Sequence, residues 1–417
     1  MNSETPAPKP LTHNHWLQQA LKQQVAPALV VDGKCGKATT AAIKLFQAGA
    51  GLVADGKSGP RTIAALEQKT GTKAPPRRVV ASTPLPVASD SPPGGHLTVT
   101  SAIHKNVPGY RVSDGKDSVT FAYFTPKVKQ YHDPCCMGGG YAGATTKIEH
   151  ADFVRAGYGP SEEKIFNANS GKEAGGKFGV INSWDNQLIS WGICQFAGVA
   201  GTLASLMSTL KKDKGSAAAF KRLFVDNGVD VATGTHRARA AKKTAGIGGG
   251  KHLVVRVAGR ELHGDEALEH IRTDPRLLGA FMLAGNDAEV QRIQLNFWLK
   301  HFLRKSYRCH VGYQKGVRNG RRIGDYLTTE RGRAVIARVH NGRPDNVRVW
   351  GTAALVELHK RFSRNVYDPK TWDGELEAAF IDLISKARKD HSGKSYDKFA
   401  TNLGTRRGSF KGAPAAK

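Results

Sequence analysis

The chain has 417 residues, with 62 Lys or Arg against 35 Asp or Glu, for a formal charge of +27. It is too long for one ordinary domain and has room for two or three. No apolar run reaches the roughly 18 residues that a membrane-crossing helix needs. The charge implies an anionic partner, and by itself it does not separate nucleic acid from an anionic bacterial envelope. The five cysteines, Cys35, Cys135, Cys136, Cys194 and Cys309, are odd in number and irregularly spaced. That excludes a disulfide framework, and without a CxxC pair no structural zinc site is expected. We expect no metal and no cofactor. The opening MNSETPAPKPLTHNHW has no basic segment followed by an apolar one, so no Sec-type signal peptide is expected.

An internal repeat comes first along the chain. VVDGKCGKATTAAI begins at Val30, and VADGKSGPRTIAAL begins at Val53. Each copy has Asp-Gly turn chemistry, a second Gly, then a Thr early in an Ala-rich amphipathic helix. Leu17, Leu21, Ile43, Phe46, Ile63 and Leu66 recur at helical spacing and predict one small core over residues 12–70. With Leu17-Gln18, Asp32-Gly33, Phe46-Gln47 and Asp55-Gly56 through Gly59-Pro60, this segment resembles the three-helix peptidoglycan-binding domain. The resemblance implies binding to glycan or stem peptide. Residues 71–96, rich in Pro, Ser, Thr and Gly, read as a stiff interdomain linker.

Residues 97–390 read as a second globular domain. TVTSAI and SVTFAYF predict strands, and Glu162 to Asn169 predicts a helix ending near Ser170-Gly171. TLASLMSTLKK and SAAAFKRLFVDNG predict two more helices. HLVVRVAGRELHG alternates like a hairpin about Ala258-Gly259. Helices are expected near 288–304, 328–339, 351–362 and 373–388. Gly234 to Gly250 reads as a mobile basic loop, and residues 391–417 as a basic disordered tail.

Cleaving a glycosidic bond requires a carboxylic acid that stays protonated in a partly apolar cleft. From Lys164 the chain reads KIFNANSGKEAGGKFGVINSWDNQLISWGICQFAG, placing Glu173 just after a predicted helix and Ser190-Trp191-Gly192-Ile193-Cys194-Gln195 beyond it. This resembles the goose-type lysozyme and lytic transglycosylase superfamily, whose catalytic Glu precedes a Ser/Phe-x-Gly motif ending in Gln. Downstream, VIARVHNGRPDNVRVW echoes the family's Ala-Tyr-Asn-x-Gly-Pro segment, with His in place of Tyr and Gly directly after Asn. The resemblance implies a mainly α fold with a small β component, a lysozyme-like domain joined to the small three-helix one. It implies Glu173 as proton donor and Asp185 as a carboxylate that positions water. Ser190, Gln195, Trp184, His340 and Asn341 become candidate substrate contacts.

Each candidate also has a plainer reading. Glu173 could be an exposed helix-end carboxylate, Asp185 could cap a turn with Asn186, and Trp184 and Trp191 could pack in the core. Cys194, between apolar neighbours, reads as a buried small hydrophobe. Tyr131-His132-Asp133-Pro134-Cys135-Cys136 lacks the patterns of cysteine peptidases and reads as a loop.

Taken together, the expected function is a peptidoglycan hydrolase, a muramidase acting on the β-1,4 bond between N-acetylmuramic acid and N-acetylglucosamine. A lytic transglycosylase on the same bond and a non-catalytic wall-binding protein are the alternatives. Expected partners are peptidoglycan glycan strands and anionic envelope polymers. Nucleic acid is not expected, since no helix-turn-helix, zinc finger or RNP-like motif occurs. A monomer made in the cytoplasm would reach the periplasm or wall through a phage holin, as an endolysin. Otherwise a secretion machine would deliver it as an antibacterial effector, a setting that brings an immunity protein.

Overall fold

The computed structural model describes residues 12–33, 35–52, 54, 56, 58, 60–75, 97–123, 137–138, 146–183, 185–234, 250–312, 320–387 and 398–412. Trp184, the 131–136 segment, most of the Pro-rich stretch and most of the Gly234–Gly250 segment lie outside the described residues. The chain forms two compact units, Met1–Ala88 and Ser89–Lys417. Both are mainly helical, with strand confined to small sheets in the second. No helix among the described residues is long and apolar enough to cross a membrane.

The first unit contains α1 (His13–Gln24), α2 (Lys37–Gly49) and α3 (Pro60–Thr70). Thr12 caps α1 by accepting from the His15 N–H, which satisfies one of the orphan donors of the first turn. The predicted apolar stripe does form the core: Leu17, Leu21, Ile43, Phe46 and Leu66 are buried, with Ile63 packed against them. The repeat has a physical basis beyond turn chemistry. The Gln18 carbonyl accepts from the Gly33 N–H at 2.6 Å while its amide donates to Thr39 and Asp32. One repeat later, Gln47 accepts from the Gly56 N–H at 2.8 Å and donates to Thr62 at 3.0 Å. Each buried Gln therefore ties the turn that follows it to the next helix, a bond of high value in a small core.

The second unit opens with an antiparallel sheet of β1 (Thr98–His104), β2 (Val107–Ser113) and β3 (Ser118–Phe121). A four-stranded sheet follows in the order β4 (Met137–Gly138), β5 (Ile181–Asn182), β6 (Ser190–Trp191) and β7 (Phe196–Ala197). Between β4 and β5 lie α4 (His150–Arg155) and α5 (Pro160–Ala174). Helices α6 (Thr202–Lys212) and α7 (Ala217–Leu223) lead to a third sheet of β8 (Val229–Thr233), β9 (Lys251–Val257) and β10 (Arg260–His263). The predicted hairpin is β9–β10, turning at Ala258 and Gly259.

Helices α8 (Asp265–Thr273), α9 (Pro275–Ala284) and α10 (Ala288–Trp298) come next. A π-helical stretch, Leu299–Leu303, joins α10 to α11 (Arg304–Tyr307). The small pair β11 (His310–Val311) and β12 (Arg321–Arg322) precedes α12 (Ile323–Tyr326), α13 (Glu330–Gly342), α14 (Pro344–Arg361) and α15 (Gly374–Lys386). The main core surrounds α9, whose residues Leu277 to Ala284 are all buried. A second core joins α12 to α15 around Tyr326, Trp372 and Phe380.

Two expectations are corrected here. Helix α5 does not stop near Ser170-Gly171 but runs to Ala174, where Gly175 in the left-handed region ends it. The C-terminal segment is not wholly a disordered tail, because residues 398–412 form an ordered strap. Ala400 and Leu403 are buried in the main core. The Gly404 N–H donates to Glu330 Oε2 at 2.9 Å, and Arg407 pairs with the buried Glu377 at 2.9 Å. Phe410 donates its N–H to Thr328 O and lies under the Arg333 guanidinium. A few well-placed apolar side chains and buried acceptors order a segment whose average composition is basic and polar.

Candidate active site

Helices α5 and α13 lie against each other in the same chain direction, joined by three polar rungs. Glu330 takes hydrogen bonds from Ser161 at 2.7 Å and Lys164 at 3.1 Å. Asn169 donates to Ile165 O and to Ala334 O. Glu173 Oε1 lies 2.7 Å from Arg338 Nη1. Glu330, Ala334 and Arg338 recur every four residues, so they share one face of α13. Burial pushes the Glu330 carboxyl up, but hydrogen bonds from Ser161, Gly404 and Lys164 outweigh it and hold the group below its usual range.

Glu173 thus sits in the last turn of α5, with its side chain 23% exposed, ion-paired to an Arg338 side chain that is 11% exposed. Beyond Gly175 the chain enters β5, β6 and β7, and residues Gly192 to Gln195 form the turn between β6 and β7. Burial drives the Cys194 thiol in this turn well above its usual value, and the Glu173 charge adds to it while Arg338 opposes. Cys194 is a buried hydrophobe, as its neighbours predict. Its carbonyl accepts from Asn341 Nδ2 at 3.2 Å, and Asn341 Oδ1 accepts from Trp298 Nε1. The structure therefore pairs Glu173 with Arg338, and three residues further along α13 it ties Asn341 to the Gly192–Gln195 turn.

Several other predicted contacts have structural work at their positions. The Gln195 amide donates to Val180 O and Gly192 O, and Asn182 donates to its oxygen. Ser190 is buried within the sheet. Asn341 engages both ends of its amide inside the protein. Trp191 is fully buried and donates to Phe281 O, a core role that leaves no face for a sugar. Asp185 Oδ1 accepts from the Gln187 N–H at 2.9 Å, the geometry of a capped turn. Trp184 lies outside the described residues.

His340 needs correction as a substrate contact, because it is 1% exposed and its ring meets Phe302 edge-on. Burial, reinforced by the charge of Lys305, pushes it down to about 4. The folded protein then holds His340 neutral, whereas the unfolded chain takes up a proton below about 6.5. This stabilising effect is complete above pH 6.5 and disappears as the pH falls through about 4, by on the order of 3 kcal/mol. Urea titrations across that window should show the fall, and His340→Gln should flatten it. An unchanged slope in the variant would remove His340 as its source.

Arg338 was the residue that sequence reading passed over, although it lies in the quoted VIARVHNG segment. Its four-residue spacing from Ala334 and Glu330 was visible, but its partner on α5 was not. Among the described residues no group of His, Cys, Asp and Glu is arranged to hold a metal ion.

Comparison with known proteins bears on the first unit. No curated protein and no solved structure matches the chain. Residues 15–66 match the family described as "Putative peptidoglycan binding domain", a span that takes in all three helices' core positions and both Gln-tied turns. The N-terminal unit therefore carries a peptidoglycan-binding domain.

Proposed function

We propose that the protein cleaves the glycan strands of peptidoglycan while its N-terminal domain holds it on the wall. The observation that carries this reading is Glu173, a partly buried carboxyl in the last turn of α5, paired with Arg338 of α13, the helix whose Asn341 bonds the Cys194 carbonyl. A general acid must present a proton to the leaving oxygen. In that role Glu173 takes up a proton from solvent once an entering glycan draws it from Arg338, and the guanidinium then stands beside the carboxylate left when that proton passes to the leaving oxygen.

In the muramidase reading, water is the acceptor and Asp185 orients it. A second reading, lytic transglycosylation with an internal sugar hydroxyl as acceptor, is favoured by the turn that already engages Asp185 Oδ1. Mass spectrometry of digested sacculi separates the two. Reducing N-acetylmuramic ends support hydrolysis, and 1,6-anhydro ends support transglycosylation. Free stem peptides on intact glycan would overturn both.

The wall-binding role predicts that residues 1–88 alone co-sediment with purified peptidoglycan. Removing them should lower cleavage of whole sacculi roughly 10-fold or more at limiting enzyme, since tethering raises local substrate concentration. Recovery of the isolated unit in the supernatant would refute the targeting role. Release through a holin or delivery by a secretion machine would bring such an enzyme to its substrate.

A further inference from the structure

We propose that Phe399, in the C-terminal strap, is a positioning residue that seats the Arg338 guanidinium against Glu173. The proposal rests on the reading of Glu173 as the reacting carboxyl. The Arg338 guanidinium has Glu173 Oε1 at 2.7 Å from Nη1, and its central carbon lies over the Phe399 ring, 5.3 Å from the centroid. A guanidinium over an aromatic face is held by the ring quadrupole, the more so where water is excluded. A free Arg side chain has many rotamers, and a second contact is what selects one.

Phe399 is itself well placed to impose that choice. It packs against both hydrophobic clusters of the unit, the one around α9 and the one around Tyr326. The strap beyond it cannot drift. Ala400 is fully buried, and the Gly404 N–H and the Ser409 hydroxyl are bonded to Glu330, two turns before Arg338 on the same face of α13. The strap therefore bonds to the first of the three α5–α13 rungs and packs against the third. Seating it sets the geometry of Arg338 and, through Arg338, of Glu173.

The test compares Phe399→Leu with Phe399→Tyr in the full-length protein. Leu retains apolar bulk and loses the ring face, whereas Tyr retains both. We expect Phe399→Leu to lower kcat on sacculi about 10-fold with peptidoglycan co-sedimentation unchanged, and Phe399→Tyr to stay within about twofold of the parent. The second readout is the set of Arg338 side-chain N–H signals by nitrogen-15 NMR. They should lose their protection from solvent exchange in Phe399→Leu and keep it in Phe399→Tyr. Equal behaviour of the two variants, or lost activity with undisturbed Arg338 signals, would overturn the proposal. If Phe399→Leu proves too unstable to assay, Phe399→Met supplies the same comparison. Should Glu173→Gln leave cleavage intact, the functional reading fails, while the Arg338 signals still decide whether Phe399 positions the guanidinium.

Discussion

Glu173→Gln is expected to lower the cleavage of purified sacculi on the order of 100-fold or more, the usual size of a lost general acid. Gln matches Glu in shape and offers no proton to a leaving oxygen. The substitution also removes one partner of an ion pair whose Arg338 side chain is 11% exposed. Folding must therefore be followed beside activity, because an unpaired buried charge destabilises. The Gln side-chain oxygen can remain against the guanidinium, which limits that loss. Glu173→Asp supplies the comparison: it retains the charge but draws the carboxyl back toward α5 and away from Arg338, so activity should fall, with a stability loss from the stretched ion pair. A Glu173→Gln protein that folds, sediments with peptidoglycan and still lyses sacculi would remove Glu173 from the chemistry.

The second large effect is structural and falls on the turn between β6 and β7. Gly192→Ala should destabilise the second unit by about 3–5 kcal/mol, measured by chemical denaturation. Gly192 has φ of +88°, a conformation that costs any residue with a Cβ. An added Cβ would also lie 2.3 Å from Gln294 Oε1. That oxygen accepts the Ile193 N–H at 2.9 Å, and the same buried amide donates to Phe178 O at 3.2 Å. Moving Gln294 aside leaves a buried N–H and a buried carbonyl without partners, which compounds the backbone strain. Gly171→Ala is the control, since a Cβ there meets nothing within 4 Å and the position lies inside α5. Equal stability of the two variants would show that the turn yields more easily than its packing implies.

Much of the fold could be read where local chemistry and periodicity agree. The repeat, the stripe from Leu17 to Leu66 and the β9–β10 hairpin all have a period or a turn signal that survives in three dimensions. Helix α9 was missed because it is buried on every side, and a helix without a polar face has no 3.6-residue period to detect. Strand β2 was missed for a related reason. Its residues Val107 to Ser113 include a Pro and a Gly, and only pairing with β1 and β3 makes them a strand. The strap was missed because composition averages over a segment, while Phe399, Leu403 and Phe410 act one at a time.

The candidate site divides along the same line. The amino-acid sequence by itself carried the resemblance of the first unit to peptidoglycan-binding domains, because its doubled Asp-Gly turns with Phe-Gln between them are local and repeated, and residues 15–66 match that family. It also marked Glu173 and the Ser190–Gln195 segment as neighbours along the chain. Only the tertiary structure decided that Arg338, far away in sequence, closes onto Glu173, and that His340 faces the core instead of a cleft. The reason is physical: an ion pair across two packed helices depends on how α5 and α13 are rotated about their axes. That rotation is set by rungs such as Ser161–Glu330 and by a strap at the chain's far end, and no local pattern encodes it.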